Sequence, residues 1–381
     1  MTIEQLHTNE PLRQFEFPVA EHEVFLANAA VCTLPRKVAT AMCEYVMNAT
    51  QGDQELRFPL RIMSEVRELS ANLLDCDKKD IALVAPTSVG LSLIANGIDW
   101  KPGDNVVYAP DDYPSNTVVW MALAERGVEL RPLLPEVPGM ITPELVESAM
   151  NERTRLVALS SVHFISGYRL DVNAVGKVIK EGGALFSLDA IQSLGVLRTP
   201  LEYVDFAPAD GHKWMLGPCA AGILYVSEEG RKQLNPTLLG WANVVCPDFV
   251  TPESITFPND ARRYEAGSYN FVGLIGLYKA LKMLKEFGYQ AVEDCVLGHT
   301  RYLRESVRAA GYELACEDDN RISGITSFRS NNKNMAELHQ FLTKARITAS
   351  LRSTRDRRQW IRFSPHFFNT RQELNRAVAL L

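Results

Sequence analysis

The strongest constraint on this chain is an alternation of short apolar runs with longer amphipathic ones. Ile81–Val84, Asn105–Tyr108, Leu156–Leu159, Ala184–Leu188 and Gly222–Val226 read as strands, and Phe206–Pro208 as a weaker one. Helical periodicity falls between them, on Val89–Gly97, Thr117–Arg126 and Val172–Glu181. Successive strands separated by helices are joined by crossovers, which keep the strands parallel. The pattern therefore predicts a three-layer α/β domain, with a largely parallel sheet covered by helices.

After Asn270 the pattern changes. Leu274–Phe287 has helical periodicity and links to a tail that mixes helices (Val292–Ala309, Met335–Ala345) with short strands (Ile325–Phe328, Trp360–Phe363), as in a smaller α+β domain. A chain of 381 residues, 46% hydrophobic, is long enough for one large core and a lesser one. The expected division is a large domain over residues 25–284 and a small domain from 1–24 and 285–381.

Composition excludes several function classes. A net charge of −6, from 40 basic and 46 acidic residues, gives no sign of a nucleic-acid partner. Cys32, Cys43, Cys76, Cys219, Cys246, Cys295 and Cys316 are odd in number and scattered, with no CxxC pair. Neither a disulfide framework nor a metal site is expected, and reduced thiols in a cytoplasmic protein are the simplest reading. The polar N-terminus lacks a signal core, and no apolar run reaches the length of a membrane span.

Four places carry chemical potential. Ala184–Leu188 ends in Asp189, an acid at the carboxyl end of a parallel strand, where ligands bind in such sheets. The same acid could cap a helix beginning at Ala190. Gln192 follows three residues on. Gly211-His212-Lys213 places a lysine beside Trp214, Met215 and Leu216, an apolar setting that lowers a lysine pKa and makes it a nucleophile; standing alone, such a lysine reads as a solvated loop residue. Pro86-Thr87-Ser88 lies between a strand and a helix, where hydroxyls and free amides form an anion site or a plain cap. Tyr113, in Asp112-Tyr113-Pro114-Ser115-Asn116, follows another strand and offers a ring to stack or simply a turn residue.

In this order, and with LDAIQSLG (188–195), GHKWMLGP (211–218), GILYV (222–226), YEAGSYN (264–270) and IRFSPHFFNT (361–370), the chain resembles the class V aminotransferases. These are fold-type I enzymes dependent on pyridoxal 5'-phosphate (PLP), of the aspartate aminotransferase-like fold, and include cysteine desulfurases, isopenicillin-N-epimerase-like proteins and kynureninases. The resemblance runs from about Phe25 to about Glu373. It implies that Lys213 binds PLP as a Schiff base and shuttles the Cα proton. It places Asp189 at the pyridine nitrogen, Gln192 at the phenolic oxygen and Tyr113 over the ring. Thr87, Ser88 and His212 would hold the phosphate, with Ser268 reaching the phosphate of a neighbouring subunit. That last role implies a homodimer with shared active sites. Arg362 would pair with the carboxylate of an amino-acid substrate. His163 and Asn28 stand where they could line the substrate side; a buried structural histidine and a turn residue are the plainer readings.

The chain also departs from relatives that pass sulfur to a protein thiol. Those carry a cysteine on the loop before the arginine strand, and here that loop, LRSTRDRRQW (351–360), is basic and has none. Tyr113 replaces their stacking histidine, and Thr87-Ser88 their Thr-Thr pair. The expected activity is transamination or C–S (β-elimination) lyase chemistry. The alternatives are epimerisation, sulfur transfer, disfavoured by the missing cysteine, and a non-catalytic PLP-binding role.

Overall fold

The structure, a computed structural model, describes residues 1–381. Seven strands form the main sheet: β1 (Ile81–Val84), β2 (Asn105–Tyr108), β3 (Glu129–Pro132), β4 (Thr154–Ser160), β5 (Leu185–Asp189), β6 (Phe206–Asp210) and β7 (Gly222–Val226). Their spatial order is β1-β7-β6-β5-β4-β2-β3. β7 is antiparallel to both its neighbours, and the remaining pairs are parallel. The architecture is α/β with a mainly parallel sheet, as expected from the alternation.

Side-chain alternation sends each strand's residues to two cores. On one face Val107, Val157, Phe186 and Ile223 pack with residues from Arg61–Leu74, Val172–Glu181 and Phe271–Phe287. On the other, Val106, Leu156, Phe206 and Leu224 meet Leu91 and Ile94 of the helix Thr87–Gly97, together with Trp120. The expected helix Thr117–Arg126 is instead α-helical over Ser115–Met121 and tightens to 3-10 geometry over Ala122–Arg126. β3 was not expected; it is a half-exposed edge strand and so lacks the apolar signature of its neighbours.

A second sheet joins β8 (Glu313–Leu314), β9 (Thr326–Arg329), β10 (Ser350–Ser353) and β11 (Gln359–Phe363) in the order β10-β11-β9-β8, all antiparallel. Val24–Phe25 pairs in parallel with Ile347–Thr348. The two chain ends meet. Arg13 bridges to Glu373 at 2.9 Å, and Phe17 stacks on Phe368 with 4.5 Å between ring centroids. Among the described residues no helix is long and apolar enough to cross a membrane.

Candidate active site

The carboxyl ends of β1, β2, β4, β5 and β6 open on one rim of the sheet, where an open α/β sheet binds ligands. A cavity of about 330 Å³ there is lined by Thr87, Ser88, Tyr113, Asp189, Gln192, His212, Lys213, Arg352 and Arg362, with Ala29–Val31 and Phe164. Eight of the sequence-selected residues thus reach one space.

Asp189 is the last residue of β5 and is buried. Its Oδ1 accepts the Ile191 N–H at 3.0 Å, and no other protein donor reaches the carboxylate among the described residues. No helix begins at Ala190, so the capping alternative falls away. Burial, and then the negative charge of Asp112, push the Asp189 carboxyl up. Lys213 is also buried, and burial pushes its amine down to about 8, with Asp189 opposing and the cations Arg362 and Arg352 assisting. Its Nζ lies 5.2 Å from the centroid of the Tyr113 ring.

The loop between β6 and β7 is held from within. The Asp210 carboxylate accepts from Gly211 N (2.8 Å), Ala221 N (3.0 Å), Ala220 N (3.1 Å) and His212 Nδ1 (2.5 Å). With Nδ1 committed to Asp210, Nε2 is the ring atom of His212 left for the cavity. Gly195, at the end of the LDAIQSLG motif, has φ +109°, and a Cβ there would stand 2.5 Å from Trp214 O. Only glycine lets the two motifs approach this closely.

Thr87 and Ser88 open an 11-residue helix whose N-cap is Pro86, with no side-chain cap. The first amides of that helix are free for an anion. Thr87 Oγ1 accepts the Asp210 N–H at 3.0 Å, so its own proton remains to be donated.

Arg362 stands at the opposite wall, 1% exposed. Nη1 donates to Phe164 O at 2.5 Å and Nη2 to Ser350 Oγ at 3.4 Å, while buried Nε has no protein partner. Burial and the charge of Arg352 push it down to about 9. A guanidinium keeps its proton in proteins, so this strain expresses a demand for an anion. Arg362 opposes Ser350 in the β10–β11 register, which puts Arg352, two residues on, diagonally beside it on the same face.

Three sequence-selected residues lie elsewhere. Ser268 lines a separate cavity of about 220 Å³ with Glu265, Tyr269 and Val84. Asn28 is buried and donates to Ser364 O at 3.0 Å; its neighbours Ala29–Val31 line the main cavity. His163 lines an adjoining cavity with Asp111 and Arg355. Ser166 N–H donates to its Nδ1 at 3.1 Å, so Nε2 carries the proton given to Asp111 O at 3.1 Å. Sequence reasoning passed over Asp210, Asp112 and Phe164. Asp112 accepts from Ser160 Oγ, Asn116 Nδ2 and Tyr113 N, and so sets the turn that presents Tyr113.

These donors fit PLP. A buried carboxylate with an unclaimed oxygen suits a protonated ring nitrogen, a helix N-terminus with a free hydroxyl suits a phosphate, and an amine pushed down toward neutrality suits the aldehyde.

The family model described as Aminotransferase class-V matches residues 24–376. A protein named probable cysteine desulfurase from Methanothermobacter thermautotrophicus is 29% identical over 334 residues, which is 86% of this chain and 83% of the relative. An uncharacterized aminotransferase, YcbU, of Bacillus subtilis is 24% identical, covering 98% and 97% of the two chains. Among solved structures, a cysteine desulfurase of Thermococcus onnurineus superposes with TM-score 0.86 at 22% identity, over 97% of this chain and 96% of that one. The cystine C-S lyase C-DES, in complex with cysteine persulfide, superposes with TM-score 0.87 at 20% identity, over 95% and 98%. With the family model covering nearly the whole length, the chain belongs to the aminotransferase class-V family and is a PLP-dependent enzyme.

Proposed function

We propose that the protein acts on a sulfur-bearing α-amino acid and breaks its Cβ–S bond by elimination, without forming a persulfide on the protein. The observation that carries this reading is one cavity in which Lys213, Asp189 and Arg362 converge and which no cysteine lines among the described residues. The name of the 29% identical relative supports a sulfur amino acid as substrate. Of the free thiols, Cys32 follows the cavity residue Val31, but burial pushes it up to about 12 and its Sγ donates to Gly217 O. The loop between β10 and β11, which would present a mobile thiolate, has none.

Bound PLP supplies an electron sink for the carbanion formed at the substrate Cα. Arg362 holds the substrate carboxylate bidentately and so sets which Cα bond faces Lys213. Lys213 Nζ, in its neutral form, takes the Cα proton. Asp189 holds the ring-nitrogen proton in place, and Thr87, Ser88 and His212 anchor the phosphate. Tyr113 covers the cavity beside Lys213, and His163 positions the Asp111–Tyr113 turn.

Two further parts of the reading concern assembly and compartment. Leu238, Leu239, Trp241, Val245, Phe249 and Val250 are exposed on the segment next to the Ser268 cavity. An apolar patch of that kind suits burial against a second copy, with Ser268 turned to the partner's cofactor. Seven free cysteines suit a reducing, cytoplasmic setting.

The test is incubation with cysteine and cystine, following pyruvate and sulfide in solution alongside persulfide on the protein. Pyruvate formation without an added keto acid is expected. Protein persulfide with alanine as co-product sinks the proposal. Turnover only in the presence of a keto-acid acceptor establishes transamination instead, a reading that the name of YcbU favours and that uses the same residues.

A further inference from the structure

Far from the Lys213 cavity, the N-terminal helix Ile3–Thr8 brings His7 against the helix Tyr289–Ala309, on which Cys295 and His299 stand one turn apart. One ligand atom from each of the three lies within 4.8 Å of the others. Cys295 Sγ is 3.4 Å from His299 Nε2, and the rings of His7 and His299 are 6.0 Å apart. Zinc–sulfur and zinc–nitrogen bonds of about 2.3 and 2.0–2.1 Å in a tetrahedron put sulfur and nitrogen about 3.5 Å apart. The Cys295–His299 pair already stands at that spacing.

We propose that His7, Cys295 and His299 form a binding site for a thiophilic d10 cation, with zinc(II) its first occupant. Two imidazoles and a thiol make a soft-to-borderline donor set, and the cluster has no carboxylate of the kind that magnesium or calcium requires. The surrounding backbone supplies the outer shell that orients metal-binding histidines. Phe367 O accepts from His7 Nε2 at 2.7 Å and lies 3.8 Å from Cys295 Sγ. Three protein ligands leave a fourth position for water. Binding releases the Cys295 thiol proton to solvent, with no change of oxidation state.

The site ties together parts of the chain that are remote in sequence. Phe367 and Asn369 follow β11, which carries Arg362, and His366 Nε2 contacts Trp214 O at 3.0 Å beside Lys213. A metal here clamps the helix Ile3–Thr8 onto the segment that leads out of the active site. Cys295 and His299 stand four residues apart in the sequence, but His7 comes near them only in the folded chain.

The experiment uses tag-free, PLP-loaded protein treated with a chelator and then dialysed. Cobalt(II) is titrated as the probe, and its tetrahedral thiolate-ligated absorption is followed at wavelengths longer than those of the cofactor. Zinc(II) then displaces the cobalt, and elemental analysis counts the zinc. One equivalent per chain is expected, with a zinc-dependent rise in Tm. Loss of an outer-shell partner weakens a metal site about 10–100-fold, and loss of a direct ligand should weaken it more. Cys295→Ala and His299→Ala should therefore bind more weakly than that range while keeping the cofactor spectrum of the folded enzyme. If Cys295→Ala does not fold, Cys295→Ser preserves size and hydrogen bonding, and disappearance of the thiolate band there decides the question. Failure of the wild-type protein to take up an equivalent, or equal affinity in the Cys295 variant, overturns the proposal.

Discussion

Trp214 Nε1 donates to Gln192 Oε1 at 2.9 Å, both side chains buried, while Gln192 Nε2 donates to Ala29 O at 3.1 Å. The residue after Lys213 is thus bonded to the residue three places after Asp189, and both are tied to the N-terminal wall of the cavity. The two motifs that line the cavity form one hydrogen-bonded unit.

Gln192→Ala should break that unit. It leaves the Trp214 N–H buried without an acceptor, a cost of about 1–3 kcal/mol. Urea unfolding should show the loss, together with weaker retention of PLP on dialysis. Gln192→Glu keeps the acceptor for Trp214 but sets a buried carboxylate against Ala29 O in place of the donor, and should not recover the lost stability. Unchanged stability in the alanine variant would show that the bond contributes nothing.

Lys213 and Asp189 separate attachment from chemistry. Borohydride reduction followed by peptide mass spectrometry should find the pyridoxyl group on the peptide containing Lys213, and nowhere in Lys213→Ala. Asp189→Asn should keep PLP bound but slow turnover by about a hundredfold, the effect of losing an electrostatic contribution on the order of 3 kcal/mol. Near-normal turnover in that variant removes Asp189 from its role.

The pH dependence follows from Lys213. Burial, assisted by Arg362 and Arg352 and opposed by Asp189, pushes the amine down to about 8, so the neutral nucleophile prevails above that pH. The rate at which apoenzyme captures PLP should rise with pH and level off above about 8. Arg352→Gln removes one of the cations that push the amine down, so the rise should move to higher pH. A profile that stays in place, or moves to lower pH, contradicts the assignment.

Arg362→Ala should raise KM for a carboxylated amino acid far more than for the corresponding decarboxylated amine. Truncating one partner of a buried hydrogen-bonded charge pair costs about 2–5 kcal/mol. Equal effects on the two compounds would make Arg362 a structural residue, held by Phe164 O and Ser350 Oγ.

Sedimentation should find the active species dimeric, and Ser268→Ala should weaken PLP affinity by about 1.5–3 kcal/mol, the scale of one hydrogen bond to a charged group. A fully active monomer rules out the shared site.

Particular residues show where sequence reading reached and where it stopped. The strands Asn105–Tyr108 and Gly222–Val226 were read with the bounds they have in the structure, because a fully buried strand writes its apolar run into consecutive residues. Asp189, Thr87 and Lys213 reach one cavity for a related reason: Asp189 ends a strand, Thr87 and Lys213 stand three residues past the ends of β1 and β6, and strand ends on one rim are neighbours whatever the loops do. β3 was missed because a half-exposed edge strand has no such signature, and β10, carrying Arg352, looked like part of a basic loop.

By itself the sequence determined the parallel α/β layering, the cofactor motifs and the absence of a loop cysteine, all of which reside in local patterns. Tertiary structure alone decided the rest. It gave Asp210 four donors and so aimed His212, engaged both ring nitrogens of His163, moved Ser268 to a cavity of its own, and brought His7 to Cys295 and His299. The physical reason is that these arrangements depend on strand order, register and the meeting of chain ends, and long-range contacts of that kind leave no periodicity in the segments that make them.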